Sequence, residues 1–168
     1  MGNVVVIGYG NTLRSDDGIG QRVANSLHLT HVKSIAVHQL TPELTENLIA
    51  ADLVIFVDAC ISSEIWQQCL PNSSENNLEN SPPDVQVRWL EPSNNKIITG
   101  HITNPESLLA LTQAIYGHYP PTWLVTVPGV NFELGENLSL IGERGVAIAL
   151  EKINKIIDKG ANICMKLD

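Results

Sequence analysis

The fold of this chain is decided by the stretch VVVIGYGNTLRSDDGIG at residues 4–20. It begins with an uninterrupted apolar run at residues 4–7, a pattern typical of a strand that is buried on both faces of a parallel sheet. The glycine-containing turn that follows leads to Ile19, Val23 and Leu27, which recur every four residues and therefore share one face of a helix. The stretch thus predicts a strand, a turn and a helix in direct succession.

Later apolar runs continue this alternation of strands and helices. We predict further strands at residues 34–40, 53–57, 85–90 and 122–129, and helices that begin at residue 41, near residue 104 and near residue 140, the last ending near residue 158. This order indicates an α/β fold, with a single doubly wound, mostly parallel sheet of about five strands and helices on both faces. Residues 85–90 alternate polar and apolar, which favours an edge strand with one wet face.

Length and composition predict one domain over residues 1–168, with a mobile insert at 71–84 that is rich in Asn, Ser, Glu and Pro. The chain has 10 Lys and Arg against 18 Asp and Glu, a net charge of -8, which argues against binding to nucleic acid or to an anionic membrane. The absence of a long apolar run or a charged leader leads us to expect a cytoplasmic protein. The three cysteines have no Cys-x-x-Cys spacing, so neither a disulfide framework nor a cysteine zinc site is expected.

Acidic and histidine side chains lie where this topology would place a ligand site. Asp16 and Asp17 follow the first strand, Asp58 ends the third, and His101 precedes a predicted helix. In open α/β sheets, ligands bind beyond the carboxyl ends of the strands. Each residue also has a simpler interpretation: a helix cap for one of the acidic pair, a turn former for Asp58, and a loop histidine bonded to backbone for His101.

Nucleotide-binding motifs fit the first turn less well. A dinucleotide fingerprint built on Gly8 and Gly10 would need a third glycine at position 13, where the chain has Leu13. A phosphate-binding loop would need a Gly-Lys-Ser/Thr ending, and the acidic pair would repel phosphate. A nucleotide-dependent α/β enzyme is therefore the weakest of the functional hypotheses.

Three motifs together resemble the hydrogenase maturation endopeptidases, which trim the C-terminus of the large subunit of nickel-iron hydrogenases. They are the Gly-x-Gly-Asn turn with its acidic pair, the Val-Asp-Ala sequence that ends the third strand, and a His followed shortly by Pro and Leu-Leu. The resemblance covers about residues 3–158. It implies that Asp17, Asp58 and His101 bind metal and form the catalytic site.

The same resemblance implies a nickel-dependent endopeptidase, a hydrolase that removes the C-terminal extension of a hydrogenase large-subunit precursor after nickel loading. The partner would be that precursor, which would supply the nickel. An alternative is an assembly factor that senses nickel without cutting. Asp16 would position a water or act as a cap. Cys60 is not expected to be a nucleophile, because nearby carboxylates raise a thiol pKa.

Overall fold

The computed structural model describes residues 2–61, 82–93 and 104–164, and in them five strands form one sheet. The strands are β1 (Val4–Tyr9), β2 (Val32–Val37), β3 (Leu53–Ile61), β4 (Gln86–Trp89) and β5 (Thr122–Gly129). Their order across the sheet is β2-β1-β3-β5-β4, and every neighbouring pair is parallel except β4 and β5. The prediction of a mostly parallel α/β sheet, with residues 85–90 at its edge, is confirmed.

Helices cover both faces of this sheet. They are α1 (Ile19–Ser26), α2 (Thr45–Ile49), α3 (Pro105–Tyr116) and α4 (Leu140–Cys164), with short 3-10 helices at Ser15–Gly18 and Pro42–Leu44. Val6 packs in a core with α1 and α4, whereas its neighbour Ile7 packs in a second core with α2 and α3. Because successive side chains of a strand point to opposite faces, the apolar run of β1 is needed to fill both cores. The doubly wound arrangement is confirmed.

Helix α1 lies unusually close to the middle of the sheet because two glycines face each other. A Cβ added to Gly8 would lie 1.8 Å from the carbonyl oxygen of Gly20, and one added to Gly20 would lie 2.4 Å from the carbonyl oxygen of Tyr9. No larger side chain fits at either position. This close approach brings the start of α1, and the acidic pair before it, down onto the carboxyl ends of β1 and β3.

The largest differences between the predictions and the structure concern two strands and two helices. Strand β3, predicted over residues 53–57, continues to Ile61. Strand β2 covers Val32–Val37 instead of residues 34–40, because it is an edge strand whose residues are only partly buried and whose apolar signal is weak. The helix predicted from residue 41 is a 3-10 turn followed by the short α2, and the side chain of Thr41 does not cap it. Helix α4 continues past residue 158 to Cys164.

Most of the predicted insert, residues 71–81, lies outside the described residues. In the part of the chain that the structure describes, no helix is long and apolar enough to cross a membrane.

Candidate active site at the carboxyl edge of the sheet

Asp17 and Asp58 reach the same edge of the sheet from different connections. Asp58 lies in β3, one residue beyond Val57, where the pairing of β3 with β1 ends. Asp17 lies in the 3-10 helix that follows β1. Both side chains are half-buried. The third predicted ligand, His101, lies outside the described residues.

The carboxyl of Asp58 sits in an environment that disfavours its charge. Burial raises its pKa to about 6, and the negative charge of Asp17 contributes to the rise. Two hydrogen bonds act in the opposite direction, from the Tyr9 hydroxyl at 2.8 Å and from the Ala59 N–H. Burial and the Asp58 charge also raise the pKa of Tyr9, so its hydroxyl stays protonated and donates to Asp58. A cation bound near these two partly buried carboxylates would relieve the repulsion between them.

Asp17 is held by the turn that precedes it. One of its carboxylate oxygens accepts the Asn11 N–H at 3.0 Å, and Gln21 donates a 2.7 Å hydrogen bond to the carbonyl oxygen of Gly10. Gly10 has a φ of 137°, a region that side chains rarely adopt, and an added Cβ would lie 2.0 Å from the carbonyl oxygen of Asp17. The Gly-x-Gly-Asn sequence therefore builds the turn that presents Asp17.

Asp16 is next to Asp17 in sequence, but its side chain has a structural role. Its side chain is fully buried and accepts four hydrogen bonds. The donors are the backbone N–H groups of Val130 and Asn131 and both the N–H and the hydroxyl of Ser139, at 2.7 to 3.0 Å. Ser139 is the residue before α4, so Asp16 ties the β5–α4 connection to the turn after β1.

The simpler interpretation, in which one of the acidic pair caps the helix that follows it, does not hold. Neither the 3-10 helix at Ser15–Gly18 nor α1 has a side-chain capping bond. Backbone bonds reinforce the tie to the β5–α4 connection instead. Ser15 N–H donates to Gly135 C=O at 2.7 Å, and Gly135 N–H donates to Leu13 C=O at 2.9 Å. The acidic pair is thus divided between a buried structural residue and a half-buried one beside Asp58.

Cys60 follows Asp58 by two residues and is partly buried. Burial raises the pKa of its thiol, and the charge of Asp58 raises it further. A thiol with a raised pKa carries little thiolate at neutral pH, which is the form that attacks a carbonyl carbon. The environment of Cys60 therefore disfavours thiol chemistry, in agreement with the expectation from sequence.

Carboxylate oxygens and an imidazole suit a first-row divalent metal. Within the described ranges, no group of three or more His, Cys, Asp or Glu side chains is placed to hold a metal ion. Of the three predicted ligands, Asp17 and Asp58 supply oxygen donors within the described residues, and His101 would have to supply the third.

Neither a family model nor a curated protein matches this chain in sequence. Solved structures do match its fold. The NiFe hydrogenase maturation protease HycI from Thermococcus kodakarensis superposes with a TM-score of 0.62 at 19% identity, covering 94% of this chain and 94% of that one. The hydrogenase maturating endopeptidase HybD from E. coli gives 0.64 at 20% identity, covering 94% and 93%. The hydrogenase 2 maturation peptidase from a Thaumarchaeota archaeon gives 0.62 at 22% identity, covering 93% and 98%.

The chain has the fold of the hydrogenase maturation proteases. The family resemblance drawn from its motifs is confirmed at this level. In this maturation-protease fold, β1 and β3 are neighbours and their carboxyl ends lie at one edge, so motifs 41 residues apart, at Asp17 and Asp58, meet there.

Sequence reasoning missed two residues that shape this edge of the maturation-protease fold. Tyr9 donates to Asp58, and a signal for it exists, because each residue is near the carboxyl end of its strand and the strands are adjacent. Ser139 binds Asp16, and no local pattern points to it, since the two are 123 residues apart.

Proposed function

We propose that this protein is an endopeptidase that removes the C-terminal extension of a nickel-iron hydrogenase large-subunit precursor after nickel loading. The observation that carries the proposal is the meeting of Asp17 and Asp58 at the carboxyl edge of a sheet whose fold matches that of hydrogenase maturation proteases. The sequence resemblance also supports it, because two of its three motifs carry these two residues and the third carries His101.

The charge distribution supports a cation as part of the substrate. The negative charge of Asp17 raises the pKa of the partly buried Asp58, and a divalent ion bound between these side chains would offset both the repulsion and the burial cost. Nickel presented by the precursor would take oxygen ligands from Asp17 and Asp58 and an imidazole nitrogen from His101. The site itself would bind nickel weakly, since two carboxylates and one imidazole have a lower affinity for nickel than a closed four-ligand site with thiolates.

This arrangement would link cutting to correct assembly of the substrate. If the carboxylates recognise the nickel centre, only a loaded precursor would be held with its extension at the site. Asp17 and Asp58 would act by orienting the centre and the adjacent peptide, because each is fixed by hydrogen bonds from Asn11 and Tyr9. Recognition of the metal and removal of the extension would then be one event.

The test is to incubate the purified protein with nickel-loaded and nickel-free precursor and to follow the precursor by mass spectrometry. We expect the loaded precursor to lose its extension and the nickel-free precursor to remain intact. We also expect little nickel in the purified protein by elemental analysis. Efficient cutting of the nickel-free precursor would refute nickel recognition. If the mass of the loaded precursor does not change, an assembly factor that senses nickel without cutting is favoured.

Variants at two histidines test the role of His101. His101→Ala should abolish cutting of the loaded precursor, whereas His118→Ala should cut at the wild-type rate. His118 is a suitable control because it is exposed and its Nδ1 lies 3.3 Å from the backbone carbonyl oxygen of Tyr116, at the end of α3. Equal activity in the two variants would show that His101 is not part of the site.

A further inference from the structure

Strand β3 continues beyond the end of its neighbour β1. The pairing of β1 with β3 ends at Gly8 and Val57, whereas the pairing of β3 with β5 continues for four more residues, to Ile61 and Gly129. In the described part of the chain, residues 58–61 of β3 therefore have a strand partner on the β5 side only. At about 3.3 Å per residue this overhang is about 13 Å long.

The register shows which backbone groups of the overhang point away from β5. The Val54 N–H donates to Pro121 C=O on the β5 side, and residues of a parallel strand direct their backbone groups to alternate sides. Asp58 and Cys60 therefore bond to β5, while Ala59 and Ile61 face the side from which β1 is missing. The Ala59 N–H is taken by the Asp58 carboxylate. By the same alternation the Ala59 C=O and the Ile61 N–H point away from β5, to the side where the described residues provide no neighbouring strand.

This edge is accessible and lies beside the candidate site. Ile61 is 67% exposed, and Ala59 and Cys60 are partly exposed. The chain after β1 does not continue as a strand beside the overhang, because β1 ends at Tyr9 and the next residue, Gly10, has a φ of 137°. An extended peptide placed here would pass directly by Asp58.

From this geometry we infer that the C-terminal extension of the precursor binds as an added strand along residues 59–61 of β3. The inference rests on the proposed function, and it names how the site takes its substrate. Alternate N–H and C=O groups of an extended peptide match the open Ala59 C=O and Ile61 N–H, and main-chain bonds of this kind bind a peptide with little dependence on its sequence. The added strand would carry the bond to be cut past Asp58 and Asp17.

Proline at position 61 tests whether the substrate pairs with this edge, and alanine at the same position is the matched control. Ile61→Pro removes the N–H that faces the open side and leaves the β5 pairing of Cys60 intact, and proline is tolerated on an open strand edge. Ile61→Ala loses the same side chain but keeps the N–H. We expect Ile61→Pro to raise the KM for nickel-loaded precursor about three- to tenfold over Ile61→Ala, as the loss of one hydrogen bond predicts, with similar kcat.

Proline scanning of the precursor's extension gives a measurement that does not depend on folding of an enzyme variant. Because an added strand turns only every second N–H toward β3, we expect cutting by the wild-type chain to be sensitive at alternate positions of the extension. Cutting that is equally sensitive, or equally tolerant, at every scanned position would refute strand addition at this edge while leaving the proposed function in place. An equal KM for Ile61→Pro and Ile61→Ala would do the same. Failure of the wild-type chain to cut the unmodified loaded precursor would refute both. A concentration-dependent dimer that is lost in Ile61→Pro would assign the edge to a second copy of this chain.

Discussion

The hydroxyl of Tyr9 lies 2.8 Å from a carboxylate oxygen of Asp58 and donates a hydrogen bond to it across the β1–β3 boundary. The ring of Tyr9 is fixed in turn by an edge-on contact with Phe56, with centroids 6.4 Å apart. Asp58 therefore has its orientation set by a side chain that does not itself carry charge. Groups that orient a metal-binding carboxylate in this way commonly change affinity or activity by 10- to 100-fold when they are removed.

Tyr9→Phe keeps the ring and removes only the donor. We expect the pKa of Asp58 to rise above about 6, because the hydrogen bond from Tyr9 favours the ionised carboxylate. Cutting of loaded precursor should fall about 10- to 100-fold. Carboxyl NMR titration of the metal-free protein measures the first effect and single-turnover cutting the second. Tyr116→Phe, at a partly exposed position on α3, should change neither. An unchanged Asp58 titration in Tyr9→Phe would contradict this account.

Asp16→Asn should lower stability, whereas Asp17→Asn should abolish cutting without lowering stability. An asparagine at position 16 turns an NH2 group toward backbone N–H donors in a fully buried site, so we expect a loss of about 3 kcal/mol of unfolding free energy. An asparagine at position 17 can still accept from the Asn11 N–H and should leave stability nearly unchanged while cutting is lost. Urea unfolding and the precursor assay separate the two. Equal stability of the variants would argue against the buried role of Asp16.

Asp58→Asn should stabilise the metal-free protein at neutral pH. The pKa of Asp58 is raised from 3.8 to about 6 in the folded protein, so the folded state holds more protons than the unfolded state between these values. Stability therefore falls as the pH rises through this window, and the full cost is present above about pH 6. Asparagine has no such cost. The stability of the variant over the wild type should grow by about 2 kcal/mol between pH 4.5 and pH 7.5, measured by urea unfolding with chelator present. A constant difference would contradict the raised pKa.

Cys60→Ala should retain most of the cutting activity. The thiol of Cys60 has a raised pKa because of burial and the nearby Asp58 charge, so it is a poor nucleophile at neutral pH. We expect the variant to cut loaded precursor at a rate close to that of wild type, and alkylation with iodoacetamide at pH 7 to be slow. Complete loss of cutting in a variant with an unchanged thermal transition would point to thiol chemistry.

The central strands could be predicted from sequence because burial on two faces leaves a strong local signal. The central strands β1, β3 and β5 appear as apolar runs, whereas the edge strand β4 shows the alternation of a strand with one wet face. Strand β2 was misplaced because an edge strand needs fewer apolar side chains. Helix α3 begins near residue 104 as predicted, and there Asn104 accepts the Ser107 N–H at 2.9 Å with Pro105 next to it.

The candidate site was only partly predictable, because its residues follow different rules. Asp17 and Asp58 could be placed at the carboxyl edge of the sheet because each lies just beyond a predicted strand. The role of Asp16 could not, since its partners come from residues 130–139 and depend on the whole fold. Gly142 illustrates the same limit. It weakens α4 by local propensity, yet a Cβ there would lie 2.5 Å from an Asp16 carboxylate oxygen, so the helix can begin beside Asp16 only with a glycine at that position.

The hydrogen bonds of Asp16 also mean that the site can be completed only late in the synthesis of the chain. A ribosome makes the turn after β1 early, but Ser139 supplies two of the four donors to Asp16 and is made more than a hundred residues later. Until then the carboxylate stays in water, and the turn that presents Asp17 lacks its anchor. Contacts of such long sequence separation form late in folding. A nascent or truncated chain would thus carry both acidic residues without a finished site, and the edge would become competent only once the start of α4 has been added.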